Sequence, residues 1–197
     1  MLTKAERTRQ FIIEKTAPVF NTKGYAGTSM SDIMHATGLT KGSIYGNFEN
    51  KDEVALAVFD HNFQQVADYI RQKMGEQHTI IGKLLVYPDT YRNYLKLPFL
   101  VNGCPIANTS TEADDTHPQL REKAINAVLF WRSSVERLVL KGIERKELRK
   151  DIDVLEFVSV LTGLIQGGAL HAKLTGKMGS LNASMNYLEK MIKRLER

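Results

Sequence analysis

The sequence predicts an all-α protein, and three observations carry that prediction. Apolar residues recur at helical spacing along the whole chain, alternating strand patterns and Asn-Gly hairpin signals are missing, and an N-cap side chain stands three residues ahead of a carboxylate at four places. Those four are Thr3 with Glu6, Ser29 with Asp32, Asn50 with Glu53 and Asp153 with Glu156. In each, the first side chain can accept from an unpaired backbone N–H of a new helix while the carboxylate faces the helix's positive end. At 197 residues and 43% hydrophobic, the chain suits one substantial core, or a small domain joined to a larger one.

Each element follows from local signals. A first helix is expected from about Lys4 to Lys23, with Ile13, Ala17 and Phe20 on one face, a local kink at Pro18 and closure at Gly24. A second covers about Met30 to Thr37 and stops at Gly38, and Thr40 can cap a third over Lys41 to Phe48 that turns Ile44 and Phe48 inward. Asn50 then caps a long helix in which Phe59, Phe63, Val66, Ile70 and Met74 recur at spacings of four and three, until GEQH from residue 75 breaks it. An apolar segment from Ile80 carries Tyr87, Tyr91 and Tyr94 on one face, a stripe that suits either a pocket lining or plain core. After an irregular connector with a short helix, His117 and Pro118 open a helix bearing Ala124, Val128, Trp131, Val135 and Leu138. Leu155, Val158, Leu161, Ile165, Ala169 and Ala172 mark the next, and Leu181, Met185, Leu188, Ile192 and Leu195 the last.

The charge excess of +5 suits a polyanionic partner, and part of it lies in the first 51 residues, on Lys4, Arg7, Arg9, Lys15, Lys23, Lys41 and Lys51. There the second and third helices, joined through Ala36-Thr37-Gly38-Leu39-Thr40, have the layout of a helix-turn-helix. With Ile44 and Phe48 inward, Thr40, Lys41, Gly42, Ser43, Tyr45, Gly46 and Asn47 are left outside or at the rim. Lys41 can reach a phosphate or a guanine edge, Ser43 a base or phosphate, and Tyr45 and Asn47 backbone oxygens, while the glycines let the helix approach the groove. Thr28, Ser29 and Lys51 stand at helix starts, where backbone N–H groups favour an anion such as phosphate. A plain helical subdomain with a polar surface is the alternative.

KGYAGTSMSDIMHATGLTKGSIYGNFENKDEVALAVF, preceded by a helix ending in APVF, closely resembles the DNA-binding domain of the TetR/AcrR family of bacterial transcriptional regulators. The shared features are a Gly-aromatic pair after helix one, Thr-Ser before helix two, the Gly-Leu-Thr-Lys-Gly-Ser turn, Tyr-x-x-Phe, and Lys-Asp-Glu opening helix four. The chain departs from the pattern at Asn47, where many members carry His. The resemblance implies a DNA-binding domain over residues 1–50 and a helical effector-binding and dimerisation domain over 51–197. It implies a homodimer on an inverted-repeat operator in double-stranded DNA, most simply a repressor released by a small-molecule or thiol-reactive effector; a DNA-binding protein without an effector is the alternative. It also implies a four-helix dimer interface from the last two helices, with Leu161, Ile165, Gly168, Met185, Leu188 and Ile192 on their seams; packing of the same faces within one chain is the alternative.

Cys104 is the only cysteine, so no internal disulfide or multi-cysteine metal site can form. At the start of a short helix its thiolate is favoured by the dipole, and a Gly-Cys segment with Lys173 in an Ala-Lys pair resembles family members that sense electrophiles or oxidants. A small buried apolar side chain is the plainer reading. Tyr87, Tyr91, Tyr94, Trp131, Cys104 and Lys173 are therefore the candidate effector or sensor residues. Asp114, Asp115 and His117 make a weak metal cluster, and neither metal nor cofactor is expected. No HExxH, Walker loop, GxSxG or dinucleotide fingerprint occurs, so an enzyme would have to rest on Cys104 with His117 or Lys173. The charged start MLTKAERTRQ has no apolar segment behind it, and no apolar run approaches the ~20 residues of a membrane span, so a cytoplasmic protein is expected.

Overall fold

The computed structural model describes residues 3–197. Among them run nine α-helices: α1 (Lys4–Lys23), α2 (Met30–Thr37), α3 (Lys41–Tyr45), α4 (Lys51–Gly75), α5 (Ile80–Arg92), α6 (Pro105–Ala113), α7 (Pro118–Glu144), α8 (Val154–Thr175) and α9 (Gly179–Lys193), with a 3-10 turn over Tyr94–Lys96. They form two compact units, one of residues up to 65 with 104–126, the other of 66–103 with 127–197. The long helices α4 and α7 each contribute to both.

In the first unit the helix starts follow the sequence closely. Thr3 Oγ1 accepts from Glu6 N at 3.2 Å while Glu6 accepts from Thr3 N at 2.7 Å, and Ser29 with Asp32 repeats the exchange at 3.1 and 2.8 Å. Asn50 Oδ1 accepts from Glu53 N at 2.9 Å, but the Glu53 carboxylate accepts from Glu49 N instead of returning to Asn50. Gly24 and Gly38 end α1 and α2 at φ of 73° and 69°, where a side chain is strained. Ile12, one position from the expected Ile13, is the wholly buried isoleucine of α1, joined in the core by Ala17, Phe20, Ile33, Ile44, Phe48, Val54 and Val58. The third helix is shorter than expected, stopping at Tyr45. Gly46 N donates to Gly42 O, and Asn47 N and Phe48 N both donate to Ile44 O, so the chain leaves the helix in a tight turn that still buries Phe48. Two glycines in six residues give α3 too little helix propensity to run on.

In the second unit α9 packs against both α8 and α5. Gly168 sets the α8–α9 approach, since a Cβ there would lie 2.8 Å from Leu181 Cδ1. Arg92 fastens α5 to α9, donating to Asn186 Oδ1 at 3.1 Å and to Glu189. Glu147 accepts from Ile80 N at 2.7 Å at the start of α5.

This packing corrects the expected dimer surface. Leu161, Ile165, Met185, Leu188 and Ile192 have no exposed area, and Gly168 is buried against Leu181. The seams of α8 and α9 close on each other and on α5 within one chain, because burying each large apolar side chain is worth about 1.5–3 kcal/mol to the fold itself. The outward face of α8 is a different stripe: Leu155 at 72% exposure, Gly163, Gly167, Leu170, and Leu174 at 75%. By length and composition alone α8, at 22 residues and mean hydropathy 1.3 over its most apolar window, could cross a membrane, a property that core helices share. Its inward residues are the core of this unit.

Candidate nucleic-acid interface

The helix-turn-helix of the first unit is held by side chains that spend their polar groups on the backbone. Thr37 Oγ1 donates to Ile33 O at 2.8 Å and accepts from Leu39 N at 3.2 Å, shaping the turn, and Thr40 caps α3 by accepting from Ser43 N at 3.2 Å. Arg9 of α1 then fixes the end of α3. Its guanidinium lies 4.0 Å over the Phe48 ring, donates to Asn47 O at 2.6 Å, and pairs with Glu53 at 2.7 Å. The planar, forked guanidinium meets all three at once, with separate N–H groups for Asn47 O and Glu53 and its flat face on the Phe48 ring. The Glu49 N–H, and after it Arg9, hold the Glu53 carboxyl below its ordinary range. Asp32 is held well below the carboxylate range by Lys23, with which it pairs at 2.6 Å, and by the Ser29 N–H.

On this frame Thr40, Lys41, Gly42, Tyr45 and Gly46 are exposed, and Ser43 and Asn47 are half-buried. A Cβ at Gly42 would meet nothing within 4 Å, so that face is open. Lys41 Nζ lies 5.7 Å from the Tyr45 ring, and Asn47 Nδ2 donates to Ser43 O at 2.9 Å. Ser29 is exposed at the start of α2, with its hydroxyl on Asp32.

Two expected phosphate contacts sit differently. Thr28 is fully buried and its hydroxyl donates to Gly24 O at 2.6 Å, so it shapes the α1–α2 turn and offers no surface group. Lys51, half-buried, donates to Tyr25 O at 2.9 Å and Thr28 O at 3.0 Å and stacks 4.0 Å over the Tyr25 ring. Two of its three N–H groups are thereby spent inside the protein.

The candidate effector residues divide between the units. Tyr87, Tyr91, Tyr94 and Trp131 gather in the second as a buried aromatic cluster, with Tyr91 stacked on Trp131 at 6.4 Å and Tyr87 6.1 Å from the same indole. Burial pushes the Tyr87 phenol above its ordinary range. Lys173 is exposed on α8. Cys104, in the first unit, is buried at the N-cap of α6 with Pro105 in the first turn. His117, at the start of α7 as expected, is buried: Nδ1 accepts from Leu120 N at 3.2 Å to cap the helix, the ring meets Tyr25 edge-on at 4.6 Å, and Nε2 is 3.9 Å from Asp52. Asp114 and Asp115 are exposed, and among the described residues no group of three or more His, Cys, Asp or Glu is placed to hold a metal.

One feature of the first unit had no sequence signal. A cleft of about 400 Å³, counting its open mouth, lies among α1, α4, α6 and α7, lined by Phe20 and Phe59 together with Asn21, Asn62, Asn108 and Glu112. It depends on residues from Phe20 to Leu120, 100 positions apart, which no local pattern could unite.

A family profile described as bacterial regulatory proteins, tetR family, matches residues 12–58, and one described as the tetracyclin repressor-like C-terminal domain matches residues 81–188. The chain is similar to a TetR-family transcriptional regulator of known structure from Cytophaga hutchinsonii, at 45% identity and a TM-score of 0.94, covering 100% of this chain and 98% of that one. It is also similar to a TetR regulator from Chloroflexus aurantiacus J-10-FL, at 35% identity and a TM-score of 0.93, with 100% and 99% covered. The HTH-type transcriptional repressor DhaR of Mycobacterium sp. (strain GP1) is 25% identical over 169 residues, 84% of this chain and 82% of its own.

Proposed function

The chain belongs to the TetR family of DNA-binding transcriptional regulators, and from that premise we propose a homodimeric repressor that leaves its operator when a small molecule binds its C-terminal domain. Its relatives are regulators of transcription, not enzymes. The observation that carries the reading is α3 and its exit turn: Lys41, Gly42, Tyr45 and Gly46 are exposed, while Ile44 on the helix and Phe48 in the turn are buried and Arg9 fixes the exit. Lys41 reaches a phosphate or a guanine edge, Ser43 a base, and Thr40, Tyr45 and Asn47 the backbone, with Gly42 and Gly46 allowing close approach. Ser29 and the α2 N-terminus take a further phosphate, and Lys51 offers its remaining N–H.

Two copies associate through the outward stripe of α8, where Gly163 and Gly167 meet nothing within 4 Å and Leu155 and Leu174 lie open. Residues 1–50 read DNA and 51–197 take the effector and the second copy, in the cytoplasm. The tyrosine and Trp131 cluster and Lys173 in the second unit, and separately Cys104 in the first, are the candidate effector-responsive groups. Selection of bound sequences from a random duplex library tests the reading. We expect an inverted repeat with half-site centres ~34–36 Å apart, one helical turn, or a multiple of it. Recovery of a single asymmetric half-site at saturating protein would refute the paired reading heads.

A further inference from the structure

The α1–α2 turn, residues 24–28, is gripped from two sides within the first unit. On one side α4 holds it, through Lys51 on the Tyr25 and Thr28 carbonyls and through the Tyr25 hydroxyl, which donates to Asp52 Oδ1. On the other side a single residue of α6 holds it. Glu112 accepts from Tyr25 N at 2.8 Å on one carboxylate oxygen and from Ala26 N at 2.8 Å on the other. Hydrogen bonds to an ionised acceptor are about twice as strong as neutral ones, and two together fix direction as well as distance. The backbone is shaped around the carboxylate: a Cβ on Gly24 would lie 2.3 Å from Glu112 Oε2, at a φ of +73° that disfavours any side chain. One turn earlier on α6, Asn108 Nδ2 donates to Asn21 O at 3.0 Å and Asn21 Oδ1 at 2.8 Å. Residues about 85 positions further along the chain thus complete the reading head.

None of these bonds involves α3, so Glu112 cannot read DNA through them. The turn it holds leads directly into Ser29, the cap of α2, and α2 leads into α3. Resting on the assignment of α3 as the DNA-reading helix, the geometry assigns Glu112 as a positioning residue: its carboxylate holds the α1–α2 turn in the setting from which α3 reads DNA. Without it the head samples other settings, and apparent affinity falls by the fraction that remains competent.

The test compares parent, Glu112→Ala and Glu112→Gln on the duplex recovered by selection, at a temperature where circular dichroism gives each the parent's full helical signal. Expected are a roughly tenfold loss for Glu112→Ala and a smaller one for Glu112→Gln, which keeps one acceptor oxygen. The slope of log affinity against log salt should equal the parent's, because no phosphate contact is lost. Amide exchange should speed up at Tyr25 and Ala26 and not in the second unit, a local effect that general destabilisation would not give. Gly24→Ala, which expels the carboxylate, should match Glu112→Ala, and the double variant should be no weaker than either. Parent-like affinity in fully folded Glu112→Ala, or a changed salt slope, overturns the assignment. A parent that binds no duplex overturns instead the reading of α3 on which it rests.

Discussion

At Lys41 a single charge tests the reading surface. Its side chain is exposed, lies in the first turn of α3 and makes no bond that the fold needs, so Lys41→Ala should leave stability within about 0.5 kcal/mol. Operator affinity should nevertheless fall, and if the contact is to phosphate the salt slope should shrink by ~0.9 per protomer. Ser43→Ala should instead change the ranking of operator variants, and competition among duplexes altered at one position reads this directly. Unchanged affinity and ranking in both variants would remove α3 from the interface. The placement of Lys41 and Ser43 away from the core was legible in the sequence, because a short capped segment that buries Ile44 and Phe48 leaves few choices for its open face. The role of Arg9 was not, since its partners Asn47, Phe48 and Glu53 lie about 40 residues away. Thr28 misled for a related reason: a hydroxyl ahead of a helix reads the same whether it faces solvent or turns back onto a carbonyl four residues before it.

At the scale of the helix, capped starts were legible, whereas the stop of α3 and the packing partners were not. Caps are local chemistry, so α1, α2, α5 and α8 begin at the residues their N-cap side chains dictate. Those caps also make a pH prediction. Glu6 is held below its ordinary range by the Thr3 N–H and hydroxyl, Asp32 by Lys23 and the Ser29 N–H, and Glu53 by the Glu49 N–H and Arg9, so each contributes stability that is present above the unfolded values of about 4 and lost as pH falls through the lower folded values. The melting temperature should therefore decline from about pH 5 downward, and Asp32→Asn should flatten part of that decline. Thermal scans from pH 7 to 3 check both, and a flat profile in the parent would contradict the carboxylate caps.

Periodicity, by contrast, locates a buried face without saying what buries it. Leu188 and Ile192 read as a dimer seam, yet they are covered by α8 and α5, and an Asp at either would leave a charge in the core and unfold the chain. The assembly test belongs on the outward stripe. Gly163→Lys and Gly167→Lys meet no atoms within 4 Å and replace poor helix formers, so the single chain should melt no lower. Across a two-fold axis the added lysines face one another, and sedimentation at micromolar concentration should give monomer. An intact dimer would put the interface on another surface.

At the scale of the whole chain the proposed effector response requires coupling, and α4, which begins six residues after α3 ends, is a 25-residue helix with residues in both units. An effector releases the operator only by binding the non-reading state more tightly, and a tenfold loss of DNA affinity needs ~1.4 kcal/mol of such preference. Linkage is reciprocal, so saturating operator should weaken effector binding by the same tenfold. Cys104 offers a covalent version. Its thiol is buried at the N-cap of α6, two turns ahead of Glu112 on the same helix, so an adduct there adds bulk beneath the helix that holds the reading head. Treatment with a maleimide should lower operator affinity at least tenfold in the parent. Cys104→Ser should bind the operator like the parent and ignore the reagent, with mass spectrometry confirming one adduct in the parent and none in the variant. Equal release in Cys104→Ser would remove the thiol from the mechanism and leave the aromatic cluster of Tyr87, Tyr91 and Trp131 as the place to seek a noncovalent effector, where a ligand at 100 times its dissociation constant should raise stability by about 2.7 kcal/mol.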